Sequence, residues 1–566
     1  MCSFCYNQYI LKPVAYRNFI KGVKNMKKLV ALLLAMILAV SAFGCAGGEN
    51  SKTDGNKGGT ASDFTYPVPA NSDGTKVTVS MNKDDFVRAD LPAYTQIDGK
   101  SYYYFDALEE ATGIHVNFIG SGSNPQATTE AVNLLIVSGE YPDVWRVNWI
   151  THPGGPTGAL EDGLILNLSE NADSVPNLIA FYEADPDLKK LVVDDDGNFY
   201  CFPYMVDIEE DGNVGLGAHF RTDWLADLGL ELPETVDEWT EVLRAFKGMG
   251  KGGLTFEARW LWLEHSAANL SNAFNTVYGF YHNDGVVTYG PLDEGYGDFV
   301  ELLASWYAEG LLDPDFATVD KSTVKAKWAN HEYGAVLLHT GDGENGINAN
   351  KDTDTPLECD TVPPMVMNKG DKAEFGHFNA KFNGGFSHSV SPGDNQEMAM
   401  RWCDYLYSDA GRKLTSLGTE GITWIADENG NWKEFTDLVM NNETTTDSPS
   451  NILYQFACKT NWGYPQMKEV YSYFNTEYVN KGNADYANTN MSAHYYPTVT
   501  HTAEEAEIIS NTFSDIETFV KEGVMKFILG TTPMSEWDSF VAQIKSMGID
   551  EVIEAKQAAY DRFKAR

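Results

Sequence analysis

FDALEEATGIHVNFIGSGSNPQATTEAVNLLIVSGEYPDVWRV, residues 105–147, sets the fold class. Phe105, Leu108 and Thr112 lie on one side of a helix that Gly113 ends. His115 to Ile119 then reads as a buried strand, Thr128 to Ser138 as a second helix and Asp143 to Val147 as a second strand. Upstream, Val77 to Met81 reads as a strand too. Strand, helix and strand in alternation predict a layered α/β domain.

Farther out, several helix starts carry a mechanism. Thr235-Val236-Asp237-Glu238, after Pro233, is a capping box, and Trp239, Val242, Leu243 and Phe246 follow at core spacing. Ser535-Glu536-Trp537-Asp538 is read the same way, with Phe540, Val541 and Ile544 behind it. Ser391-Pro392 is expected to open a third helix, with Met398, Trp402 and Tyr405 along one side. That spacing assigns Trp239, Trp402 and Trp537 to the core. The chain shows no internal repeat.

The chain has 41 basic and 81 acidic residues, a net charge of −40. Residues 1 to 44 hold Lys12, Arg17, Lys21, Lys24, Lys27 and Lys28 and no acid, so the remainder is more acidic still. Such a surface repels phosphate backbones and anionic headgroups, which argues against nucleic-acid binding and electrostatic membrane docking. Apolar residues at 43% suffice for a packed core. About 500 residues beyond the N-terminal segment suggest two or more domains.

Met26 to Cys45, MKKLVALLLAMILAVSAFGC, reads as an export signal: Lys27 and Lys28, an apolar run, then Ala42-Phe43-Gly44 before Cys45. The run is shorter than the roughly 20 residues a bilayer requires, although a single transmembrane anchor is the competing reading. On the first reading residues 26–44 are removed and Cys45 carries lipid. Ala42 stands where a lipobox usually has Leu. Residues 1–25 precede a complete signal with its own methionine and are read as untranslated. Residues 45–65, rich in Gly, Ser, Asn and Lys, read as a flexible tether. Of the later cysteines, Cys201, Cys359, Cys403 and Cys458 form no metal-ligand spacing. Buried free thiols are expected, with one disulfide left open.

Motifs for chemistry are sparse. Gly341-Asp342-Gly343-Glu344-Asn345-Gly346 matches a dinucleotide fingerprint and follows a strand-like run, Tyr333 to Leu338. Residues 347–356, INANKDTDTP, lack helical period, and two acids would repel pyrophosphate, so the stretch reads as a polar loop. Asp194-Asp195-Asp196-Gly197 resembles part of a calcium loop but runs into a strand, which favours a hairpin turn over a metal site. No HExxH, GxSxG or phosphate loop occurs, and no cofactor is implied. Aromatics are the remaining resource. Trp145, Trp149, Tyr204, Trp260, Trp262 and Trp424 lie outside the amphipathic helices, beside polar or small residues. Trp260 and Trp262 alternate with Leu261 and Leu263, so an extended segment would put both on one face. Flat rings beside Asn, Asp, Arg and His suit a sugar-binding cleft.

A set of segments then resembles one family in order and spacing across nearly all of residues 75–566. Leu108-Glu109-Glu110-Ala111-Thr112-Gly113-Ile114 opens it. Residues 133–144, NLLIVSGEYPDV, follow, with Ser138-Gly139 and Pro142-Asp143. Next come residues 196–203, DGNFYCFP, and the most specific piece, Arg221-Thr222-Asp223-Trp224-Leu225-Ala226-Asp227-Leu228-Gly229-Leu230 with Pro233 and Thr235. Residues 306–316 (WYAEGLLDPDF), 418–424 (GTEGITW) and 557–562 (QAAYDR) complete it. The pattern is similar to the lipid-anchored extracellular solute-binding proteins of bacterial ABC importers, of the sugar- and oligosaccharide-binding type. The resemblance implies an α/β, two-lobed, periplasmic-binding-protein-like fold (type II), with crossing strands, a hinge and solute held between the lobes. Lobe one would span about 75–205 and 380–440, and lobe two about 206–379 and 441–566. The loop from Trp145 through Asn148 and Trp149 to His152 would line the cleft, as would Tyr204 and Trp424. Arg221 belongs to the family motif, part of which is structural. Partners would be a small-molecule ligand, a sugar or oligosaccharide, and membrane permease subunits, with the chain a monomer on the outer face of the cell membrane. A lipid-anchored carbohydrate hydrolase or lyase, and a surface sensor of the same fold, are the alternatives.

Overall fold

The computed structural model describes residues 64–82, 91–120, 125–206, 215–263, 267–378, 382–445, 447–458 and 465–566. Residues 1–25, the signal at 26–44, Cys45 and the tether to residue 63 lie outside the described residues.

Ten strands build two sheets: β1 (Val77–Met81), β2 (Ile114–Phe118), β3 (Val144–Trp145), β4 (Phe202–Val206), β5 (Leu216–Arg221), β6 (Gly252–Thr255), β7 (Tyr333–His339), β8 (Cys359–Val362), β9 (Phe382–Val390) and β10 (Pro465–Gln466). The first sheet has the order β10-β4-β9-β3-β1-β2 and the second β8-β5-β7-β6. In the first, β1 runs parallel to β2 and β3, with Val77 opposite Ile114 and Met81 opposite Val144. The α/β alternation of residues 105–147 is thus observed, with helices at Tyr104–Thr112 and Pro125–Ser138 between these strands. Gly113 closes the first helix at φ 74°, a left-handed conformation that costs a residue with a Cβ roughly 1 kcal/mol or more.

Each sheet carries its own apolar core. Val79, Met81, Ile114, Trp145, Tyr182, Phe202 and Trp402 pack in one; Phe220, Trp239, Phe246, Tyr289, Trp306, Val520 and Val552 pack in the other. Separate cores on separate sheets make two lobes. The chain passes between the sheets from β4 to β5, from β8 to β9, and again from β10 to the helix Glu477–Ala487, whose Tyr486 hydroxyl donates to Ala218 O at 2.9 Å. A small third cluster around Trp424, Phe435 and Leu453 adjoins the first sheet, because the helix Pro449–Phe456 packs on the helix Tyr104–Thr112.

Local signals held where the partner was local. Thr235 and Glu238 make the reciprocal capping box, worth about 1 kcal/mol, and Trp239, Val242, Leu243 and Phe246 are all buried. Asp194 forms the expected hairpin turn, its carboxylate accepting from the backbone N–H of Asp196 at 3.1 Å and Asn198 at 2.8 Å. Cys201, Cys359, Cys403 and Cys458 are free thiols. Two helix starts differ from expectation. Ser391 instead follows the end of β9, its hydroxyl donating to Pro142 O at 2.6 Å, and the helix begins at Gln396. Ser535 sits in a short 3-10 turn, Met534–Glu536, and the helix Trp537–Ser546 has no side-chain cap.

The third correction concerns the glycine cluster, which is helical over Thr340–Asn350. Gly343 lies against the imidazole of His219, where a Cβ would come within 2.5 Å of the ring, and Gly346 against Trp328, within 2.4 Å. The glycines let this helix lie flat on buried rings, which replaces the missing apolar period. Gly341 faces open space. Gly341→Ala is therefore expected to stabilise by about 0.5–1 kcal/mol. Gly343→Ala should destabilise by about 1–3 kcal/mol, because the ring must move off its bonds to Tyr478 and Leu338. Paired urea unfolding curves test this; equal signs for the two variants would refute it.

Candidate functional site

The strand directions fix where the two sheets meet. β1, β2 and β3 end on one edge of the first sheet; β9 is antiparallel to both β3 and β4, so β4 ends there as well and β9 begins there. In the second sheet β6 and β7 end together, opposite the start of β5 at Leu216 and beside the end of β8 at Val362. The β4–β5 and β8–β9 crossings leave and enter at these two edges, so the edges face one another across a cleft. In α/β sheets, ligands bind outside such carboxyl ends.

On the first lobe the chain turns after β3 through Arg146, Asn148, Trp149, Thr151 and His152. Together with Thr128 and Asn133 of the helix Pro125–Ser138, these residues line a recess of about 320 Å³. Asn82, the first residue past β1, accepts the Arg146 backbone N–H at 2.7 Å, which fixes the start of the loop. Asn148 accepts the Ile150 N–H at 3.3 Å and caps the 3-10 turn Trp149–Thr151. Trp149 stands edge-on to Trp145 at 5.6 Å and to the His152 ring at 5.6 Å. His152 faces Asp162 at 3.4 Å. Trp145 is fully buried, and its indole N–H donates to Leu164 O at 3.1 Å. It supports the loop from below and presents no face to solute.

On the second lobe the segment after β6 is a 3-10 turn, Ala258–Leu261, and not the extended segment expected from the Trp-Leu-Trp-Leu alternation. Trp260 and Trp262 therefore do not share a face. Trp260 is buried, with the Arg259 guanidinium 4.5 Å over its ring and His339 edge-on at 5.5 Å. Glu257 holds Arg259 at 2.8 Å. Burial, with Lys321 nearby, holds the His339 imidazole below its ordinary pKa and so favours the neutral ring. Trp262 is half-buried against Tyr278 at 5.6 Å and keeps open surface.

The remaining expected residues scatter. Tyr204 lies midway along β4, two residues short of the cleft edge, buried, its N–H bonded to Ser387 Oγ at 3.2 Å. Trp424 sits in the third cluster, its indole donating to Gly418 O at 3.1 Å. Arg221 is at the opposite end of β5, five residues from the cleft edge, or about 17 Å at a strand's rise. It is 2% exposed and bonded to Asp223 and His331, a structural position. The reading from sequence covered Arg146 within its loop but missed Asn82, Arg259 and His339. One signal marks them: each is a polar residue at, or within a few positions of, the end of a strand on the cleft edge.

Comparison with known proteins agrees with this architecture. The family model described as bacterial extracellular solute-binding protein matches residues 93–413. The fructooligosaccharide ABC transporter substrate-binding protein FusA of Streptococcus pneumoniae serotype 4 is 24% identical over 506 residues, covering 81% of this chain and 86% of that protein. Among solved structures, the alginate-binding protein AlgQ2 has a TM-score of 0.67 at 22% identity, covering 86% of this chain and 98% of that one. FusA of S. pneumoniae in complex with kestose has a TM-score of 0.66 at 20% identity, covering 87% and 99%. The family match spans more than half of the chain, and the fold is that of the two-lobed solute-binding proteins: this chain belongs to the bacterial extracellular solute-binding protein family.

Proposed function

We propose that this chain captures an oligosaccharide outside the cell in the cleft between its lobes and delivers it to the permease of an ABC importer. The observation that carries the reading is the pair of facing edges lined by hydrogen-bonding side chains: Asn148, Thr128 and Asn133 over the buried Trp149 on one, Arg259 and Glu257 beside the half-buried Trp262 on the other. Ring C–H faces pack on aromatics while hydroxyls take directed bonds. The similarity over most of its length to FusA, a fructooligosaccharide-binding protein by name, supports the same class. The contact set is Asn148, His152 and Trp262, with the buried rings of Trp149, Trp260 and Tyr204 as backing.

The lobes are assigned from packing. The first takes 64–206 and 382 to about 475, because the helix Pro449–Phe456 rests on the helix Tyr104–Thr112; the second takes 215–378 and 477–566. A lipid on Cys45 and the Gly/Ser-rich tether would keep this body at the membrane yet free to open and close. Mass spectrometry of the mature protein should find an acyl group on Cys45.

A thermal-shift screen of residues 64–566 against a glycan panel tests the ligand class. At a hundredfold excess over Kd, a true ligand adds about 2.7 kcal/mol of stability. Peptides that shift the melting point where every glycan fails would remove the assignment. With the glycan in hand, Trp262→Ala and Asn148→Ala should each weaken binding roughly 10- to 30-fold by calorimetry, about 1.4–2 kcal/mol. Trp424→Ala should change affinity less than twofold.

A further inference from the structure

We infer that Asp195, Arg562 and Arg566 form an ionic clasp between the lobes that biases them toward the orientation seen here. Asp195 sits on the hairpin turn whose flanks, Val193 and Phe199, belong to the core of the first lobe. Arg562 is on the helix Ile549–Ala565, whose Val552 and Tyr560 belong to the core of the second, and Arg566 follows it. The Arg562 guanidinium donates through Nε to Asp195 Oδ2 at 2.8 Å and through Nη1 to Glu505 Oε1 at 2.6 Å. Arg566 bonds the other Asp195 oxygen and donates through Nη1 to Val193 O at 2.7 Å. The Thr500 hydroxyl donates to Asp195 Oδ1 at 2.7 Å.

Two carboxylates and two guanidinium groups balance in charge, in a chain whose acids outnumber its bases 81 to 41. Burial of Asp195 opposes ionisation, but the bonds from Thr500, Arg566 and Arg562 outweigh it and hold its carboxyl below the ordinary range. On one flank of the clasp the helix Gly155–Glu161 of the first lobe meets the start of the helix Ala503–Ile528 of the second, but on the other flank the lobes are not close-packed. Leu188 and Leu191 of the first face Phe378, Tyr495 and Pro497 of the second across a cavity of about 250 Å³. Rotation of one core against the other therefore has room there, and must lengthen or break the bonds to Asp195. Polar contacts between partly exposed groups break more cheaply than an apolar interface does.

The test needs no sugar, so it stands apart from the ligand assignment. Nitroxides on a ketone-bearing amino acid at Val137 and Val286, which are 84% and 65% exposed, report the interlobe distance in the full chain while leaving every thiol untouched. Without ligand, Asp195→Asn and Arg562→Gln should broaden the distance distribution and move its mean by several ångströms relative to the wild type. Raising salt to 1 M, where the screening length is about 3 Å, should move the wild type the same way. Should Asp195→Asn fold poorly by circular dichroism, Arg566→Gln and the salt series decide. Identical distributions in all samples would overturn the clasp, since the four residues would then belong to one rigid body.

Discussion

Arg221→Ala is expected to cost the second lobe about 3–5 kcal/mol while leaving the glycan affinity of the folded protein within twofold of wild type. The guanidinium is 2% exposed. Its Nε and Nη2 donate to the two Asp223 oxygens at 2.8 and 2.5 Å, and Nη1 meets His331 Nδ1 at 2.7 Å. Its flat face lies 4.2 Å over Trp224, which stands edge-on to Phe246 in the lobe core. Truncation strands the Asp223 carboxylate, removes a packed plane and leaves a void under Trp224. The same residue is remote from the cleft, at the far end of β5. A urea titration followed by tryptophan fluorescence should show a lower midpoint for the second lobe. Calorimetry well below that midpoint should show near-native affinity. An affinity loss of tenfold or more with stability retained would return Arg221 to the binding site.

Arg221 also shows what could be read before the structure and what could not. Its segment, residues 221–230, was the most specific family signal, and the fold it implied is the fold observed. Its role depends on His331, which is 110 residues away in sequence, and on strand direction, and neither is a local property. The capping box at Thr235 was legible because both partners lie within three residues. Ser391 carried the same kind of signal but was taken by Pro142, 249 residues away. The helix over Thr340–Asn350 was illegible for another reason: its buried side is made of glycines against His219 and Trp328, and glycine carries no hydropathy. Among the tryptophans, Trp145, Trp149, Trp260 and Trp262 all lie at or just beyond strand ends on the cleft edges. Exposure then separated Trp262 from the other three, because Trp145 and Trp260 are covered by neighbours distant in sequence, Leu164 and His339, and Trp149 is buried against Trp145 and His152. The edge-polar residues Asn82, Arg259 and His339 become visible once strand ends are known.

Acidification from pH 7.5 to 5 is expected to remove about 3–5 kcal/mol of stability, chiefly through two buried neutral histidines. His219 and His388 are fully buried. Burial lowers the His219 pKa from 6.5 to about 4, and burial together with the Arg146 charge lowers that of His388 from 6.5 to about 3. Both folded values lie below the unfolded one. As pH falls through 6.5 the unfolded chain takes up protons that the folded chain refuses, so stability, full above pH 6.5, declines toward pH 4. One pKa unit corresponds to about 1.36 kcal/mol, so by pH 5 each histidine has cost about 2 kcal/mol. Asp404 acts with the opposite sign. Burial raises its carboxyl to about 6, against hydrogen bonds from Leu178 and Asn177, so the folded state takes up that proton first. This returns about 1.4 kcal/mol by pH 5 and leaves the net loss near 3. His501, lowered to about 4 by burial, adds in the same direction. Scanning calorimetry should show the melting temperature falling steadily from pH 7 to 5. His388→Gln, which cannot titrate, should flatten that slope even if it lowers stability at pH 7.5. A melting temperature that stays level or rises toward pH 5 would mean that these imidazoles reach water or a carboxylate in solution, and the buried neutral core described for both lobes would be wrong at those two positions.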